Sequence, residues 1–431
     1  MDYAEKYALI GAGPMGLAAA RALSKHAVPF QGFELNSDVG GLWDIDGPRS
    51  TMYETAHLIS SKTMTEFDEF PMKDEVAEYP SHRDVLAYFR DFARHFELYQ
   101  HYRFGAEVLS AVPEGEAWRV TWREGGEEKN ALFKGILAAN GTLSEPNMPA
   151  FEGKFSGELI HASEYRDPRQ FADKRVLIIG AGNSGCDIAV DAIHHGKNCD
   201  ISLRRGYYFV PKYVFGKPAD TVGGAIKLPM WLKRPIDKWL LSWFVGDPQR
   251  YGFPKPDYKL YESHPIVNSM ILFHAGHGDI TVRKDVDRFE GDTVWFKDGS
   301  NGDYDMVLCA TGYKLHYPYL DKGLLNWQRD APHLYLNCMH PERDDLFVLG
   351  MVEASGLGWQ GRADQAEMVA LYLADLQSSG ASALRQRKQA GFERATGGMG
   401  YIDLPRMAYY VDKRTYLAKL HSEIKALRGA K

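Results

Sequence analysis

The chain has 431 residues, of which 45% are hydrophobic and 25% are charged, and its formal net charge is −6. This length accommodates two or three domains with substantial cores, and the mild acidic balance gives no reason to expect a nucleic-acid partner. No apolar run approaches the length of a membrane span, and a first strand beginning by Tyr7 leaves no room for a signal peptide, so we expect a cytoplasmic protein.

The first predicted strand, residues 7–10, runs directly into a glycine-rich turn. The turn reads GAGPMG and contains Gly11, Gly13, Pro14, Met15 and Gly16. A GxGxxG pattern is informative when it lies between a strand and a helix start, as it does here. The first glycine permits the turn, the second lets the backbone approach a pyrophosphate, and the third lets the helix pack closely on the strand. The opening segment therefore predicts a dinucleotide site.

A carboxylate identifies the expected nucleotide. Glu34 ends the second predicted strand, which follows the first turn and its helix. A carboxylate at this place accepts hydrogen bonds from ribose hydroxyls, which suits an adenosine without a 2′-phosphate. We therefore predict FAD here, with the following loop of Gly41, Leu42 and Trp43 passing close beneath the flavin.

Residues 83–141 contain a predicted helix followed by predicted strands. Residues 83–98 show helical periodicity, residues 118–122 alternate as a strand does, and residues 135–141 end the block. Residues 145–149, which contain two prolines, predict a stiff linker. We assign residues 1–165 to the first part of an FAD-binding domain.

The same turn recurs much later in the chain. Residues 176–179 lead into GAGNSG, which contains Gly180, Gly182, Asn183, Ser184 and Gly185. The strand that follows ends without a carboxylate and is followed by Arg204 and Arg205. Two guanidinium groups suit the 2′-phosphate of NADPH, although a solvated basic turn is an alternative.

We assign residues 166–312 to an NADPH-binding domain that closes on Ala310, Thr311 and Gly312. A helical insertion is expected at about 220–262. It contains the apolar run 239–245, for which peripheral membrane contact is an alternative. Residues 313–431 are expected to return to the FAD domain and to end in helices. The predicted fold class is thus α/β, with two Rossmann-like dinucleotide-binding domains and the NADPH domain inserted into the FAD domain.

The C-terminal return contains a glycine-rich stretch, residues 352–360, that we expect to border the flavin ring. Its glycines allow close approach, and Gln360 is a candidate hydrogen-bond partner of the ring or of a substrate. An ordinary loop leading into a helix is an equal alternative.

The four cysteines contain no CxxC pair and no metal-ligand spacing, so we expect reduced structural residues and no metal site. A pyridine-nucleotide disulfide oxidoreductase would share the double nucleotide-binding plan. It requires a redox-active cysteine pair, however, and is therefore disfavoured.

The segment between the two predicted domains carries the most specific pattern. Phe155, Gly157, His161 and Tyr165 match every defining position of FxGxxxHxxx[FY], and the segment resembles the signature of flavin-containing monooxygenases. Baeyer–Villiger monooxygenases usually have tryptophan at the position of Tyr165. Residues 40–43, 183–187 and 310–313 are also similar to family segments. We expect His161 and Tyr165 to act structurally, by coupling the domains.

The resemblance implies an enzyme that uses FAD, NADPH and O2. Hydride passes from NADPH to FAD, and a C4a-hydroperoxyflavin protected by NADP⁺ then oxygenates a small sulfide or amine. It also makes a homodimer plausible. A Baeyer–Villiger or N-hydroxylating monooxygenase is an alternative, as is an uncoupled NADPH oxidase or a flavoprotein sensor.

The chain departs from the family at a sensitive position. Many members have an asparagine near the reactive edge of the flavin, three residues before a lysine, where this chain has Ile59. The resemblance makes Ser60, Ser61 and Lys62 the candidate catalytic residues. Either serine supplies the missing polar contact, or NADP⁺ supplies more of it. Plain loop polarity is an alternative for both serines.

Overall fold

A computed structural model describes residues 3–222 and 229–429. The part of the predicted insertion at residues 223–228 lies outside the described residues. Two five-stranded parallel sheets organise the rest, and this confirms the predicted fold class.

The first sheet is built from both ends of the chain. Its strands pair in parallel in the order Leu346–Val348, Gly135–Ala138, Tyr7–Ile10, Phe30–Phe33 and Tyr102–Arg103. Its strands at the centre are buried on both faces, as expected when helices and other layers cover a parallel sheet. The edge strand Leu346–Val348 pairs with Gly135–Ala138, so a late part of the chain contributes to the first sheet.

The second sheet lies between these two parts in sequence. Its strands pair in parallel in the order Glu158–His161, Met306–Cys309, Arg175–Ile179, Asn198–Ser202 and Ile280–Arg283. The boundary that we placed between residues 165 and 166 therefore falls after a strand of the second sheet, because the pairing of Glu158–His161 is not visible in local sequence.

Smaller sheets complete the fold. A three-stranded antiparallel sheet contains Ala106–Glu114, Ala117–Glu124 and Glu127–Phe133, and a four-stranded sheet has the order Asn301–Asp303, Thr293–Phe296, Val286–Gly291 and Glu152–Phe155. Two-residue strands pair Phe209–Val210 with Ile266–Val267, Tyr213–Val214 with Lys217–Pro218, Tyr313–Lys314 with Glu145–Pro146, and Trp327–Gln328 with Ala331–Pro332.

The α-helices in the described part of the chain are Pro14–Lys25, Lys62–Thr65, His82–His95, Asn183–His195, Met230–Val245, Met270–His277, Gln360–Ala374, Ser379–Gln389 and Lys413–Gly429. Short 3₁₀ helices lie at Gly41–Trp43, Leu98–His101, Pro168–Phe171, Ala219–Thr221, Pro248–Tyr251, Lys322–Leu325 and Pro405–Tyr409. Among the described residues, no helix is both long and apolar enough to cross a membrane.

The four cysteines are buried and free, as predicted. Burial raises the pKa of the Cys309 thiol to about 12, so this residue is a thiol rather than a thiolate at neutral pH. No group of three or more metal-binding side chains occurs in residues 3–222 and 229–429.

Candidate dinucleotide-binding and active site

The two glycine turns share one geometry. A Cβ atom on Gly16 would lie 1.9 Å from the carbonyl oxygen of Gly11, and one on Gly185 would lie 2.0 Å from that of Gly180. The third glycine of each turn is therefore required by the protein itself, because the helix packs directly against the turn.

The middle glycine of each turn has a different reason to be glycine. A Cβ atom on Gly13 would meet only ordinary contacts, 3.5 Å from Cα of Gly41, and one on Gly182 would meet nothing within 4 Å. Neither residue has a positive φ. Since the protein leaves space at both positions, a ligand that approaches the backbone explains the two glycines best.

The helices that follow the turns begin without side-chain caps. Pro14–Lys25 and Asn183–His195 have glycine N-caps and no acidic residue in the first turn. The helix His82–His95, by contrast, has a complete capping box from Ser81 and Asp84. Free backbone N–H groups and the positive end of the helix dipole therefore face outward at both turns, which fits a pyrophosphate.

Glu34 directly follows the strand Phe30–Phe33 and contacts the first glycine turn. Its side chain is buried and accepts backbone N–H bonds from Ala12 at 2.5 Å and from Asn36 at 2.8 Å. Burial raises the pKa of Glu34, while these two N–H donors act in the opposite direction. The carboxylate thus lies directly beside the first glycine turn, at the end of its strand.

The predicted flavin loop contacts the same turn. A Cβ atom on Gly41 would lie 2.9 Å from Cα of Gly13. The Leu42 carbonyl accepts a hydrogen bond from Ser50, and Trp43 packs against the first core. Met15, in contrast, is buried, and its side chain packs against Gly350.

The second turn is connected to the linker through its neighbouring strand end. A Cβ atom on Gly180 would lie 2.5 Å from the Ala310 carbonyl oxygen, so Ala310 contacts the turn. The Thr311 hydroxyl donates to the Asn147 carbonyl at 2.7 Å, and the Gly312 carbonyl lies 3.1 Å from Nε2 of His161. These residues hold the turn against the linker.

The first turn of the second Rossmann helix is held by a later segment. Asn183 accepts the backbone N–H of Val267 at 2.7 Å, and Ser184 follows it in the same helical turn. The side chain of Asn183 therefore fixes the helix start, as well as lying at the predicted NADPH site.

The two arginines differ in their surroundings. Arg204 is exposed after the strand Asn198–Ser202. Arg205 is less exposed, and its guanidinium forms an ion pair with Asp257 at 3.1 Å. The Nη1 of Arg205 is buried without a hydrogen-bond partner, so both arginines retain donors that suit a 2′-phosphate.

The three candidate catalytic residues are engaged to different degrees. Lys62 donates to the carbonyl oxygens of residues 73, 74 and 76 at 3.0, 3.0 and 2.7 Å, so its ammonium group anchors that loop. The Ser60 hydroxyl lies 2.6 Å from that of Thr65. Only Ser61 among the three has a buried hydroxyl without a hydrogen-bond partner, and such a group is favourable only when it gains a partner.

Gln360 lies near these residues, but its amide is already bonded. Its Oε1 accepts the N–H of Asp68 at 2.9 Å, and its Nε2 donates to Asp364 at 2.7 Å. The adjacent Trp359 N–H donates to the Thr65 carbonyl at 2.9 Å. The structure thus brings residues 353–360 against residues 60–68, which sequence reasoning did not connect.

Asp191, an acidic residue that we did not single out, connects the second predicted domain to residues of the first. Asp191 accepts hydrogen bonds from Thr55 at 2.5 Å and from the signature residue Tyr165 at 2.9 Å. Asp187, one helical turn earlier, accepts one from Asn268 at 2.5 Å. The i, i+4 spacing was a signal that could have revealed this shared face.

A cavity of about 730 Å³ lies between the helix Met230–Val245 and residues 254–260. Tyr207, Tyr208 and Phe209 form part of its wall. Its lining in the described part of the chain includes none of the residues predicted to bind FAD, so it is separate from the first glycine turn.

The family model described as flavin-binding monooxygenase-like matches residues 4–378. The chain belongs to this family. It is therefore an oxidoreductase, an FAD- and NADPH-dependent monooxygenase, as the paired turns and the family resemblance together predicted.

Named relatives agree with this assignment. The chain is 29% identical over 378 residues to the rabbit (Oryctolagus cuniculus) protein "Dimethylaniline monooxygenase [N-oxide-forming] 2", covering 82% of this chain and 70% of that protein. Among solved structures, S-allyl-L-cysteine S-oxygenase from Allium sativum is 20% identical with a TM-score of 0.67, covering 97% of this chain and 88% of that one. An open structure of cyclohexanone monooxygenase is 18% identical with a TM-score of 0.71, covering 99% and 97%. The two structures are similar to this flavin monooxygenase in fold.

Proposed function

We propose that this flavin monooxygenase oxygenates soft nucleophiles, either the sulfur of a small sulfide or the nitrogen of a small amine. The observation that carries the proposal is the state of the polar groups where residues 60–68 meet residues 353–360. Lys62, Ser60 and Gln360 are bonded within the protein, and of this group only Ser61 retains a free hydroxyl. A reaction that needs placement rather than a strong side-chain acid or base fits this arrangement.

The first sheet is the proposed FAD-binding unit and the second the proposed NADPH-binding unit. The glycine turns and uncapped helices would hold the two pyrophosphates, Glu34 the ribose of FAD, and Arg204 the 2′-phosphate of NADPH. When bound, FAD supplies the oxygen-activating chemistry and NADPH the reducing equivalents. The protein contributes orientation and exclusion of water.

Names of relatives support the substrate class. One relative is named for N-oxide formation and one fold neighbour for S-oxygenation. Tyr165, which the Baeyer–Villiger proteins usually replace with tryptophan, favours the same choice. The homodimer suggested by the family resemblance stays a prediction.

The test measures how NADPH consumption is divided between products. Purified protein is mixed with NADPH, O2 and methyl phenyl sulfide, N,N-dimethylaniline or cyclohexanone, while NADPH loss, H2O2 and organic products are quantified. We expect sulfoxide or N-oxide in near-stoichiometric yield. A lactone from cyclohexanone would instead indicate a Baeyer–Villiger enzyme.

Two other outcomes would contradict the proposal. H2O2 equal to the NADPH consumed indicates an uncoupled oxidase, and full flavin occupancy without NADPH consumption indicates a sensor. The variant Ile59→Asn, which restores the usual family residue, tests whether Ile59 causes the uncoupling. If the variant forms more organic product than the wild type, the uncoupling is due to Ile59.

A further inference from the structure

The cavity beside the helix Met230–Val245 is bordered by three segments of the chain. Residues 207–209 and 254–260 form two of its walls, and the helix forms the third. A Cβ atom on Gly206 would lie 2.0 Å from the carbonyl oxygen of Pro254, so the first two walls pack directly against each other. Their relative position is therefore fixed by the fold of the protein itself.

Polar contacts hold the walls apart from the space between them. Nη1 of Arg234, on the helix, lies 3.4 Å from Oε1 of Glu262 in an ion pair. The Tyr208 hydroxyl donates to the Tyr258 carbonyl at 3.1 Å, and the rings of these two residues are 5.6 Å apart. The volume of about 730 Å³ that remains open is in the range of sites for small organic ligands.

Much of the lining of this cavity is aromatic or aliphatic. Phe209, Tyr258 and Leu260 are 1%, 7% and 6% exposed. Tyr207 and Trp231 add two further aromatic rings to the walls. Aromatic side chains favour offset-stacked and edge-to-face contacts with other rings. The lining therefore fits a ligand that has an aromatic body.

The lining also contains four basic and three acidic side chains, and only some of them are paired. Arg234 pairs with Glu262, and Asp257 pairs with Arg205 at 3.1 Å. Asp247, the third carboxylate, accepts a backbone N–H at 3.0 Å. Two of the three carboxylates are thus already neutralised by arginines.

Three ammonium groups of the lining are left over. Lys238, Lys255 and Lys259 are exposed, and none of them forms an ion pair within residues 3–222 and 229–429. The carboxylate of Asp247 is the only acidic group of the described lining that could offset them. A lysine ammonium is a compact point charge, so this excess of positive charge favours an anionic ligand.

We propose that this cavity binds a small aromatic carboxylate. The apolar walls contact its rings, and the lysines neutralise its carboxylate group. Among the described residues, the lining includes none of those predicted to bind FAD or NADPH and none of the three candidate catalytic residues. The site is therefore separate from the site of the reaction, and its occupation is independent of the function proposed above.

The test is equilibrium dialysis of the full-length, flavin-loaded protein against two probes of the same shape. Biphenyl-4-carboxylate carries a negative charge, whereas biphenyl-4-carboxamide is neutral. We expect the carboxylate to bind roughly tenfold or more tightly than the amide, because only the carboxylate attracts the lysines. This difference should shrink as the salt concentration rises, since the lysines are exposed.

Variants of the cavity separate charge from shape. The double variant Lys255→Gln/Lys259→Gln should weaken binding of the carboxylate roughly tenfold and leave binding of the amide unchanged. Leu241→Trp enlarges a side chain in the helical wall and should weaken binding of both probes. Lys154→Gln changes an exposed lysine on another sheet and should affect neither probe. Retained flavin absorbance shows that each variant is folded.

Several results would overturn the proposal. The wild type would bind neither probe, or it would bind both equally well. Lys154→Gln would weaken carboxylate binding as much as the double variant does, which would indicate general attraction to a basic surface. Displacement of the carboxylate by saturating NADP⁺ would assign the cavity to the nucleotide, and displacement by methyl phenyl sulfide would assign it to the substrate. We expect neither compound to displace it.

Discussion

The two glycine turns have nearly the same backbone but lie in different chemical surroundings. Both begin helices without side-chain caps, and in both the protein leaves space for a Cβ atom on the middle glycine. The strand after the first turn ends in buried Glu34, and the strand after the second leads to exposed Arg204. The turn thus suits any pyrophosphate, whereas the next strand distinguishes one nucleotide from another.

The helices after the turns differ as well. At the same offset from the first glycine of its turn, the first helix has Ala18 and the second has Asp187. Ala18 packs in the core, and burial raises the pKa of the Asp187 carboxyl to about 6. Asp191, from the same helix, bonds Thr55 and Tyr165. The second unit therefore carries the polar contacts that connect it to the first.

The largest expected effect is on cofactor binding, because a substitution in each turn should weaken the binding of a different cofactor. Gly13→Ala fits the protein but places a methyl group in the path of the FAD pyrophosphate, so we expect roughly 100-fold weaker flavin binding. Gly182→Ala should retain flavin and weaken NADPH alone. Absorbance of the purified proteins and NADPH titration measure both. A yellow Gly13→Ala protein would disprove the first assignment.

The next effect concerns the two arginines. Arg204→Ala should lower kcat/KM for NADPH roughly 10- to 100-fold, because a charge-assisted contact to the 2′-phosphate is lost, while NADH is little affected. Arg205→Ala provides a comparison, because Nη2 of Arg205 pairs with Asp257 and only its Nη1 is without a partner, so a smaller loss for NADPH is expected. If Arg204→Ala lowers kcat/KM equally for NADPH and NADH, Arg204 does not contact the 2′-phosphate.

The third prediction uses pH to sharpen the contrast between the helices. Burial raises the pKa of Asp187 in the folded protein above its unfolded value near 4. The favourable contribution of the protonated carboxyl to the free energy of unfolding is therefore complete below about pH 4 and is lost as pH rises through about 6. The free energy of unfolding of Asp187→Asn should therefore exceed that of the wild type by about 1–3 kcal/mol at pH 7.5 and equal it near pH 4. Denaturant unfolding of cofactor-free protein measures this.

A pH-independent difference would contradict that account of Asp187. Ala18→Ser provides a comparison at the same offset in the first helix. It buries a hydroxyl instead of a carboxyl, so its effect on the free energy of unfolding should not vary between pH 4 and pH 7.5.

The smallest expected effect concerns the free hydroxyl of Ser61. Ser61→Ala removes a buried polar group without a partner, so the cofactor-free protein should change by about 1 kcal/mol or less. If bound FAD or NADP supplies the missing partner, the cofactor-loaded variant should lose thermal stability relative to wild type. Equal melting temperatures of the loaded proteins would show that Ser61 does not contact either nucleotide.

Much of the architecture was predictable because its signals are local. The strands at Tyr7–Ile10 and Arg175–Ile179 are each followed at once by their turn and helix, so each strand–turn–helix segment is a continuous stretch of sequence. The pairing of Glu158–His161 in the second sheet was not predictable, because its neighbour, Met306–Cys309, lies far away along the chain. Strand partners separated by such distances leave no local pattern.

The sequence by itself determined the two glycine turns, the contrasting charges of Glu34 and Arg204, and the family signature, because each depends on residue type and spacing. Only the tertiary structure decided which polar groups are already bonded. Lys62 is occupied by the loop at residues 73–76 and Arg205 by Asp257. It also decided that Met230–Val245 turns its tryptophans outward. Such partners come from packing between distant segments, and spacing along the chain does not encode them.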